Sequence, residues 1–346
     1  MKRQLLGVAA ILLSISTYAQ DNPLWMRYCA ISPDGTTIAF TYKGDIYTVP
    51  STGGRASQIT TNPAHDTKPI WSPDGKKIAF ASDRMGSMDI FEVNKEGGIP
   101  KRLTTHSGNE TPVAYKDAGH ILFLANIMPT VEDAQFPSGQ FQQVYEVNTE
   151  GGRPALFSSM PMEDISINHT GNTLLYHDKK GYEDPWRKHH TSSITRDIWL
   201  CSLNGNRTFR KQTTFNGEDR TPVWASDDKS FYYLSEEKGS FNIFKRDIDG
   251  NTSKQITNHT KHPVRFLSAA SNGTLCYGYD GEIYTVKEGA IPQKVQISIV
   301  TDKNDKDLIR QIKRSGATEI SLSPDAKEIA FVLRGDVYVT STEYST

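Results

Sequence analysis

The sequence has few cysteines, almost no net charge and a single long apolar run. Its 346 residues include only 3 Cys, and 39 Lys and Arg nearly balance 40 Asp and Glu, for a net charge of −1. That balance creates no overall field that would attract nucleic acid or an anionic membrane. Cys29, Cys201 and Cys276 form no C-x-x-C pair, so we interpret them as buried free thiols. Their spacing does not decide whether two of them form a disulfide.

The single long apolar run, Leu5–Ile15, is too short to cross a bilayer. It follows Lys2 and Arg3, and Thr17–Ala19 supplies small residues of the kind that precede a cleavage site. We therefore predict a signal peptide over residues 1–19 and export of the mature chain, in a bacterium to the periplasm. Because no Cys stands at the cleavage site after the run, we expect neither a lipid anchor nor membrane attachment after cleavage.

The sequence also lacks the patterns of common catalytic and metal sites. It contains no G-x-S-x-G, and His189 and His190 lie near Ser192 and Ser193 without a turn that would form an oxyanion hole. No two histidines have the H-x₃-H spacing of a zinc site, and the Asp–Gly turns lack the dense D-x-D-x-D-G series of a calcium loop. We therefore predict no catalytic residue, no metal and no cofactor in this chain.

A repeat is present instead, and it is clearest in Pro69–Val93. There a Ser-Pro-Asp-Gly turn is followed by Ile-Ala-Phe and Asp-Ile-Phe, with Leu-Thr further on. Pro and Gly suit the tight turn, and the short apolar runs predict buried strands. Ser72–Asp74 follows Ser32–Asp34 by 40 residues, and the pattern can be followed through six units. Since four short strands per unit of about 40 residues are typical of a propeller blade, we predict an all-β fold, a six-bladed β-propeller over residues 20–301.

Two of these units carry insertions between their second and third strands, over residues 126–143 and 177–196. Such loops usually lie on one face of a propeller, which makes them functional candidates. After a charged linker at 302–316 the repeat restarts, and Ser323–Asp325 repeats the turn. We predict the first strands of a second propeller over residues 317–346, and we expect the chain to be a truncated part of a longer protein.

These repeated phrases resemble the WD40-like PD40 blades of TolB and of tricorn-type proteases. Lys180–Ser193, which leads to Arg196–Trp199, looks like the fourth-blade insertion of bacterial tricorn-like peptidases, and Gly316–Glu319 resembles the beginning of their second propeller. The resemblance covers essentially the whole chain after the signal peptide. It implies a six-bladed propeller followed by a seven-bladed propeller, a PDZ domain and a serine protease core of the S41 class. The family's catalytic residues lie downstream of this chain, so the resemblance implies none here.

The insertion of the fourth unit is also where we place a candidate substrate-binding site. Basic side chains there would grip the terminal carboxylate of a peptide, because arginine binds carboxylates with two parallel hydrogen bonds. The candidates are Arg187, Lys188, His189, His190 and Arg196. The alternative is a solvated loop in which these groups pair with Glu183 and Asp184.

The sequence therefore predicts the non-catalytic propeller portion of an exported tricorn-like serine peptidase. It would guide or gate peptides or unfolded protein segments toward a downstream S41 domain. Its partners would be the PDZ and protease domains of the same chain, and homo-oligomers stay open. Two alternatives remain, a TolB-like periplasmic protein-binding propeller without catalysis and the propeller of a prolyl-oligopeptidase-type enzyme. We also predict Trp25, Trp71 and Trp224 in the core, and Arg55, Arg84 and Arg102 as surface charge.

Overall fold

The computed structural model describes residues 23–127, 141–182, 191–300 and 315–343, and the elements in these ranges are all strands. None of these ranges contains a helix with the length and apolar character needed to cross a membrane. The first sheet contains β1 (Arg27–Ile31), β2 (Thr37–Tyr42), β3 (Asp45–Pro50) and β5 (Ser57–Gln58), and the short β4 (Gly54–Arg55) precedes β5 in the chain. The second sheet contains β6 (Asp66–Trp71), β7 (Lys77–Ser82), β8 (Asp89–Asn94) and β9 (Lys101–Arg102). The third sheet contains β10 (Thr111–Asp117), β11 (His120–Ala125), β12 (Gln143–Asn148) and β13 (Ala155–Ser158).

The fourth sheet contains β14 (Met162–Ile167), β15 (Thr173–Asp178), β16 (Ile198–Ser202) and β17 (Thr208–Lys211). The fifth sheet contains β18 (Asp219–Trp224), β19 (Ser230–Ser235), β20 (Asn242–Asp247) and β21 (Ser253–Gln255). The sixth sheet contains β22 (Arg265–Ala269), β23 (Leu275–Tyr279), β24 (Glu282–Val286) and β25 (Gln293–Lys294). β26 (Ile297–Ser298) then pairs with β4, and a last, three-stranded sheet contains β27 (Ala317–Leu322), β28 (Glu328–Leu333) and β29 (Asp336–Ser341).

The six four-stranded sheets form a closed ring. Within each sheet the strands pair antiparallel in chain order, and the first strands contact one another in the cycle β1–β6–β10–β14–β18–β22–β1. Each sheet buries its faces against two neighbours, which one such sheet cannot do alone. The predicted all-β propeller is confirmed, and these sheets are called the ring below.

The same backbone hydrogen bond joins five of the six pairs of neighbouring sheets. In each pair, the N–H of the residue at or next to the start of one sheet's first strand donates to the carbonyl just before the third strand of the preceding sheet. The bonds run from Asp66 to Gly44 (2.7 Å), Glu110 to Met88 (2.7 Å), Asp219 to Arg196 (3.0 Å), Val264 to Phe241 (2.9 Å) and Met26 to Gly281 (3.1 Å). The last of these joins the sixth sheet to the first, so the ends of the ring meet as its other sheets do.

No strand is shared between the ends of the ring in the described ranges. The first sheet is built only from residues 27–58, and the later chain reaches it through the parallel pair of β26 with β4, where Ile297 is opposite Gly54. Gly53 allows this approach, because a Cβ there would lie 2.7 Å from the Gln296 carbonyl oxygen. Packing and hydrogen bonds therefore close the ring.

The repeated Ser-Pro-Asp and Ile-Thr phrases have local structural roles. The Ser72 hydroxyl donates to Asp74 at 2.7 Å and accepts from the N–H of Lys77 at 2.9 Å, which fixes the turn before β7. The Thr104 hydroxyl accepts from the N–H of Ile90 at 2.9 Å, and Thr257 does the same for the third strand of the fifth sheet. Both motifs satisfy backbone groups where strands end, so they explain the fold.

Tryptophan and arginine predictions are only partly correct. Trp71 and Trp224 are buried, and their indole N–H groups donate to backbone carbonyls of the preceding first strand, at 2.8 and 3.0 Å. Trp25 is 61% exposed, so its placement in the core is wrong.

Arg84 is not simply surface charge, because it pairs with the fully buried carboxylate of Asp66 at 2.9 Å. Arg102 likewise pairs with buried Asp89 at 2.8 Å.

The insertions are shorter than the sequence predicts. β15 continues through His177 and Asp178, and β12 already begins at Gln143. His177 pairs in register with Ile198, so it is a strand residue and not part of a loop. The chemistry that the sequence places in the fourth-unit insertion is therefore divided between a strand and a loop.

Candidate functional site

The first strands of the six sheets surround a central channel. Its cavity has a volume of about 490 Å³ and is lined by residues from all six first strands. Position along each first strand therefore decides which side chains a molecule in the channel would meet. We take this channel as the candidate functional site.

A β-bulge interrupts every first strand where it lines the channel. In five of the six strands the bulge holds a non-glycine residue at positive φ, and all five line the cavity: Tyr28 (51°), Lys68 (53°), Asp164 (48°), Thr221 (51°) and Phe266 (56°). Positive φ is uncommon for bulky or β-branched residues and costs about 1–3 kcal/mol at each position. Because bulges re-aim side chains, this shared strain points to a role for these five residues, called the bulge residues below.

Among the bulge residues, Lys68 carries the uncommitted cation. Its ammonium has no hydrogen bond or ion pair with any residue in the described ranges, and it lies 5.7 Å from the ring centre of Tyr28. Burial lowers the pKa of Lys68, and Asp164 and Glu163 partly oppose this effect. Tyr28 in turn packs on Phe266 with ring centroids 4.8 Å apart. A cation near one aromatic ring, with a second ring packed on the first, therefore forms one side of the channel.

The opposite charge lies on the fourth sheet and is tied into a network. Glu163 accepts from Lys179 at 2.7 Å and lies 3.2 Å from the ring Nε2 of His177. Desolvation raises the pKa of Glu163, but His177 and Lys179 together hold that pKa well below its usual range. Asp164 accepts from the hydroxyl of Thr221 at 2.6 Å, which links the bulges of the fourth and fifth sheets. These carboxylates already have partners, unlike the Lys68 ammonium.

A second ion cluster lies beside this network. Arg196 Nη1 donates to Glu218 at 2.7 Å, and Arg196 Nε lies 3.6 Å from Glu163. Arg220 is 3.5 Å from the same Glu218 oxygen, and its guanidinium lies 4.1 Å from the ring centre of Phe241. Arg196, Glu218 and Arg220 are all buried. We expect this cluster to join the fourth and fifth sheets.

The predicted substrate-binding residues are placed as follows. Arg196 lies in the channel wall, just before β16, with its guanidinium paired as described. Arg187, Lys188, His189 and His190 lie outside the described residues. Steering of peptide carboxylates by this set stays a prediction.

The face that carries the insertions is the face on which the last sheet rests. Both insertions join second to third strands, as does the Lys43–Gly44 turn, and this turn lines a cavity of about 730 Å³ beneath β27–β29. Arg334 of the last sheet pairs with Asp83, in the same type of connection, at 2.5 Å. This mouth cavity shares Tyr28, Lys68 and Phe266 with the channel, and exposed Trp25 lines it.

The sequence contains a signal for the bulge residues that we did not use. Each precedes the first residue of the turn after its strand by four positions, as Lys68 precedes Ser72 and Tyr28 precedes Ser32. That fixed spacing could have identified the positions. Their side chains differ in charge, size and polarity, so residue type alone gave no indication. In the described ranges no group of three or more His, Cys, Asp or Glu is placed to hold a metal.

We predict that one buried carboxyl near the start of a first strand makes stability depend on pH. Glu110 is fully buried, and burial raises its pKa to about 7, while the hydroxyl of Thr104, which donates to it, partly opposes the shift. Since the folded pKa lies above the ordinary 4.5, the stabilisation is complete below about pH 4.5 and is lost as pH rises to 7. Urea denaturation should show that Glu110→Gln removes about 1–2 kcal/mol of this dependence.

The matched control for Glu110→Gln is Glu96→Gln, whose side chain is 83% exposed. It should leave the dependence of the unfolding free energy on pH unchanged between pH 4.5 and 8. Equal slopes for wild type and Glu110→Gln would contradict the assignment of this titration to Glu110.

Comparison with known proteins agrees with this geometry. A sequence model of the tricorn protease N-terminal β-propeller domain matches residues 23–290. Tricorn protease homolog 1 of Streptomyces coelicolor is 26% identical over 281 residues, which cover 80% of this chain and 25% of that protein. Tricorn protease of Thermoplasma acidophilum is 25% identical over 334 residues, or 91% of this chain and 29% of that protein.

Solved structures extend the comparison to the fold. A crystal structure of the tricorn protease superposes with a TM-score of 0.67 at 21% identity, covering 92% of this chain and 30% of that one. The chain thus spans about a quarter of the length of the tricorn relatives that it matches. The predicted tricorn resemblance is confirmed: the chain belongs to the family of tricorn protease N-terminal β-propeller domains.

Proposed function

We propose that the ring binds peptides in its central channel and guides or gates them toward an S41-type catalytic domain of a longer parent protein. The observation that carries this proposal is Lys68, a cation in the channel wall that forms no ion pair among the described residues. Lys68 is half-buried, and an unpaired ammonium that has lost part of its hydration is costly unless an anion joins it. The terminal carboxylate of a peptide supplies such an anion.

The channel wall also suits the rest of a peptide. Tyr28 and Phe266 offer aromatic faces next to Lys68, and aromatic rings bind apolar side chains at small entropic cost. Bulged first strands leave backbone groups out of register around the channel, where an extended chain can use them. Arg187 and Lys188 of the fourth-unit insertion would supply further positive charge at the mouth, and Arg196 would hold the wall in place.

The second part of the proposal is that the ring is a complete six-bladed propeller and that residues 317–346 begin a second one, and the last sheet supports it. Ser323 Oγ donates to Asp325 at 2.6 Å, as in the turns of the ring. Ile320, Leu322, Val337 and Val339 are each about 59–70% exposed, and in a propeller neighbouring blades would cover such faces. Export to the periplasm and partnership with PDZ and protease domains of the parent complete the proposal.

Replacing Lys68 should weaken peptide binding selectively. We expect Lys68→Met to reduce the affinity of a fluorescein-labelled peptide with a free C-terminal carboxylate by about tenfold, because one charge-assisted contact is worth about 1.4 kcal/mol or more. A C-terminally amidated peptide should bind wild type and variant equally. Fluorescence anisotropy with the 346-residue chain measures both.

The control is Lys229→Met. Lys229 is exposed and lies in the turn after β18, the first strand of the fifth sheet, beyond the bulge of that strand. This substitution should leave both affinities unchanged. An unchanged affinity of Lys68→Met for the free-carboxylate peptide would rule out this use of the channel. Neutralising Arg187 and Lys188 together tests the insertion separately.

A further inference from the structure

The place where the ring closes carries two adjacent cysteines. Cys29 in β1 and Cys276 in β23 are buried in the same core cluster. The side chain of Cys276 lies close enough to that of Cys29 for the two thiols to interact, and Cys29 Sγ donates to the carbonyl oxygen of Phe266 at 3.4 Å. The Ser268 hydroxyl lies 3.5 Å from the carbonyl oxygen of each cysteine. The two sulfur atoms are therefore neighbours across the contact between the first and sixth sheets.

That contact differs from the other five in one respect. At every other contact the two sheets follow each other directly in the chain, so the backbone already links them. The first and sixth sheets are joined by packing, by the Met26–Gly281 hydrogen bond and by the pair of β4 with β26. A covalent bond between Cys29 and Cys276 would thus link the two ends of the ring, where the backbone gives no direct link.

We propose that Cys29 and Cys276 form a disulfide that closes the ring. The thiolate of one cysteine attacks a disulfide of an external oxidant, either an exported dithiol oxidase or oxidised glutathione, and releases one oxidant thiol. The second cysteine then attacks this mixed disulfide and releases the other oxidant thiol. Two protons leave the cysteines, and the two electrons reduce the oxidant. In the cell this rests on the proposed export, since disulfides persist in oxidising compartments.

The surroundings of the pair indicate when the bond forms. Burial raises the pKa of Cys276 well above its ordinary value, so the reactive thiolate is scarce once the first and sixth sheets have packed. Exchange therefore takes place before this packing is complete, and the finished bond is shielded from reductants. In the structure all three cysteines are buried free thiols. Cys201 lies in a different core cluster, within the fourth sheet, and we expect it to remain a thiol after oxidation.

Thiol counting after refolding tests the proposal. The denatured and reduced 346-residue chain is refolded with either a glutathione redox buffer or dithiothreitol, then denatured, treated with N-ethylmaleimide and weighed by mass spectrometry. We expect one labelled thiol after oxidative refolding and three after reductive refolding. The bond encloses a very long loop, so the oxidised protein should melt about 5–10 °C above the reduced protein.

Two variants make the result specific. Cys201→Ser should show no labelled thiol after oxidative refolding, and Cys276→Ser should lose the difference in melting temperature between the two refolding buffers. Three labelled thiols in the oxidised wild type, or a bond that includes Cys201, would overturn the proposal. Refolding in vitro does not depend on export. If protein refolded with oxidant has the bond but protein recovered from cells has three thiols, the result would count against export and leave the bond itself established.

Discussion

Glu218→Leu should lower the free energy of unfolding by about 3–5 kcal/mol, because it removes the shared partner of two buried arginines. Glu218 is 1% exposed and lies 2.7 Å from Arg196 and 3.5 Å from Arg220. Burial already lowers the pKa of Arg220 to about 10, and Glu218 opposes that shift. Without the carboxylate, two cations would remain in the channel wall with reduced compensation. Urea denaturation followed by circular dichroism measures the change.

Two further variants separate loss of the ion cluster from loss of a side chain. Glu96→Leu changes the same residue type at a position where the side chain is 83% exposed, and it should cost less than about 0.5 kcal/mol. The double variant Glu218→Leu, Arg196→Met should recover part of the loss, since it also removes one of the uncompensated charges. A loss below about 1 kcal/mol in the single variant would show that Glu218 does not compensate these arginines.

The cluster also changes the meaning of Arg196 as a candidate site residue. The sequence places it beside a run of basic residues, and we predicted that it would face a peptide. In the structure its guanidinium is paired with Glu218 and lies near Glu163. Residue type and spacing predict that a charge is present, but only the fold shows whether that charge already forms an ion pair within the protein. Lys68, which no motif marks, is a channel cation that has no such partner in the described ranges.

The sequence predicted the propeller well because its signals are local. Turn residues such as Pro73 and Asp74, and strand phrases such as Ile78–Phe80, form the predicted elements wherever they recur. The bulges were not predicted, because the residues on both sides of the extra residue still show the polarity pattern of a strand. Trp25 was predicted in the core because a strand position was predicted for it. It lies before β1 and lines the mouth cavity, where 61% of it is exposed.

The position of the insertions could be predicted only relative to the strands. The sequence shows that they follow second strands, and from this we expected them on one face of the ring. Which other features share that face depends on three-dimensional placement. The last sheet reaches it through Arg334 and Asp83, residues that are distant in sequence and belong to no common motif. Long-range ion pairs of this kind leave no trace in a single sequence.

Phe80→Ala should destabilise the ring by about 3–5 kcal/mol, although it touches no candidate functional residue. Phe80 is the aromatic residue of the Ile-Ala-Phe phrase, is fully buried and stacks on Phe91 with ring centroids 6.1 Å apart. Its core cluster includes Ala39 and Ile46 of the first sheet, so the cavity left by alanine would open between two sheets. Urea denaturation again measures the free energy of unfolding.

Two other phenylalanines provide the controls for this prediction. Phe209→Ala, at a residue that is 40% exposed on an outer strand, should cost less than about 1 kcal/mol. Phe331 has the same place in the last sheet's Ile-Ala-Phe phrase but is only partly buried, so in this 346-residue chain its replacement should cost much less than that of Phe80. Equal losses for Phe80→Ala and Phe331→Ala would contradict the view that stability comes from contact between neighbouring sheets. A large cost for Phe80 alone would show that the repeated phrase stabilises a blade only where neighbouring blades cover it.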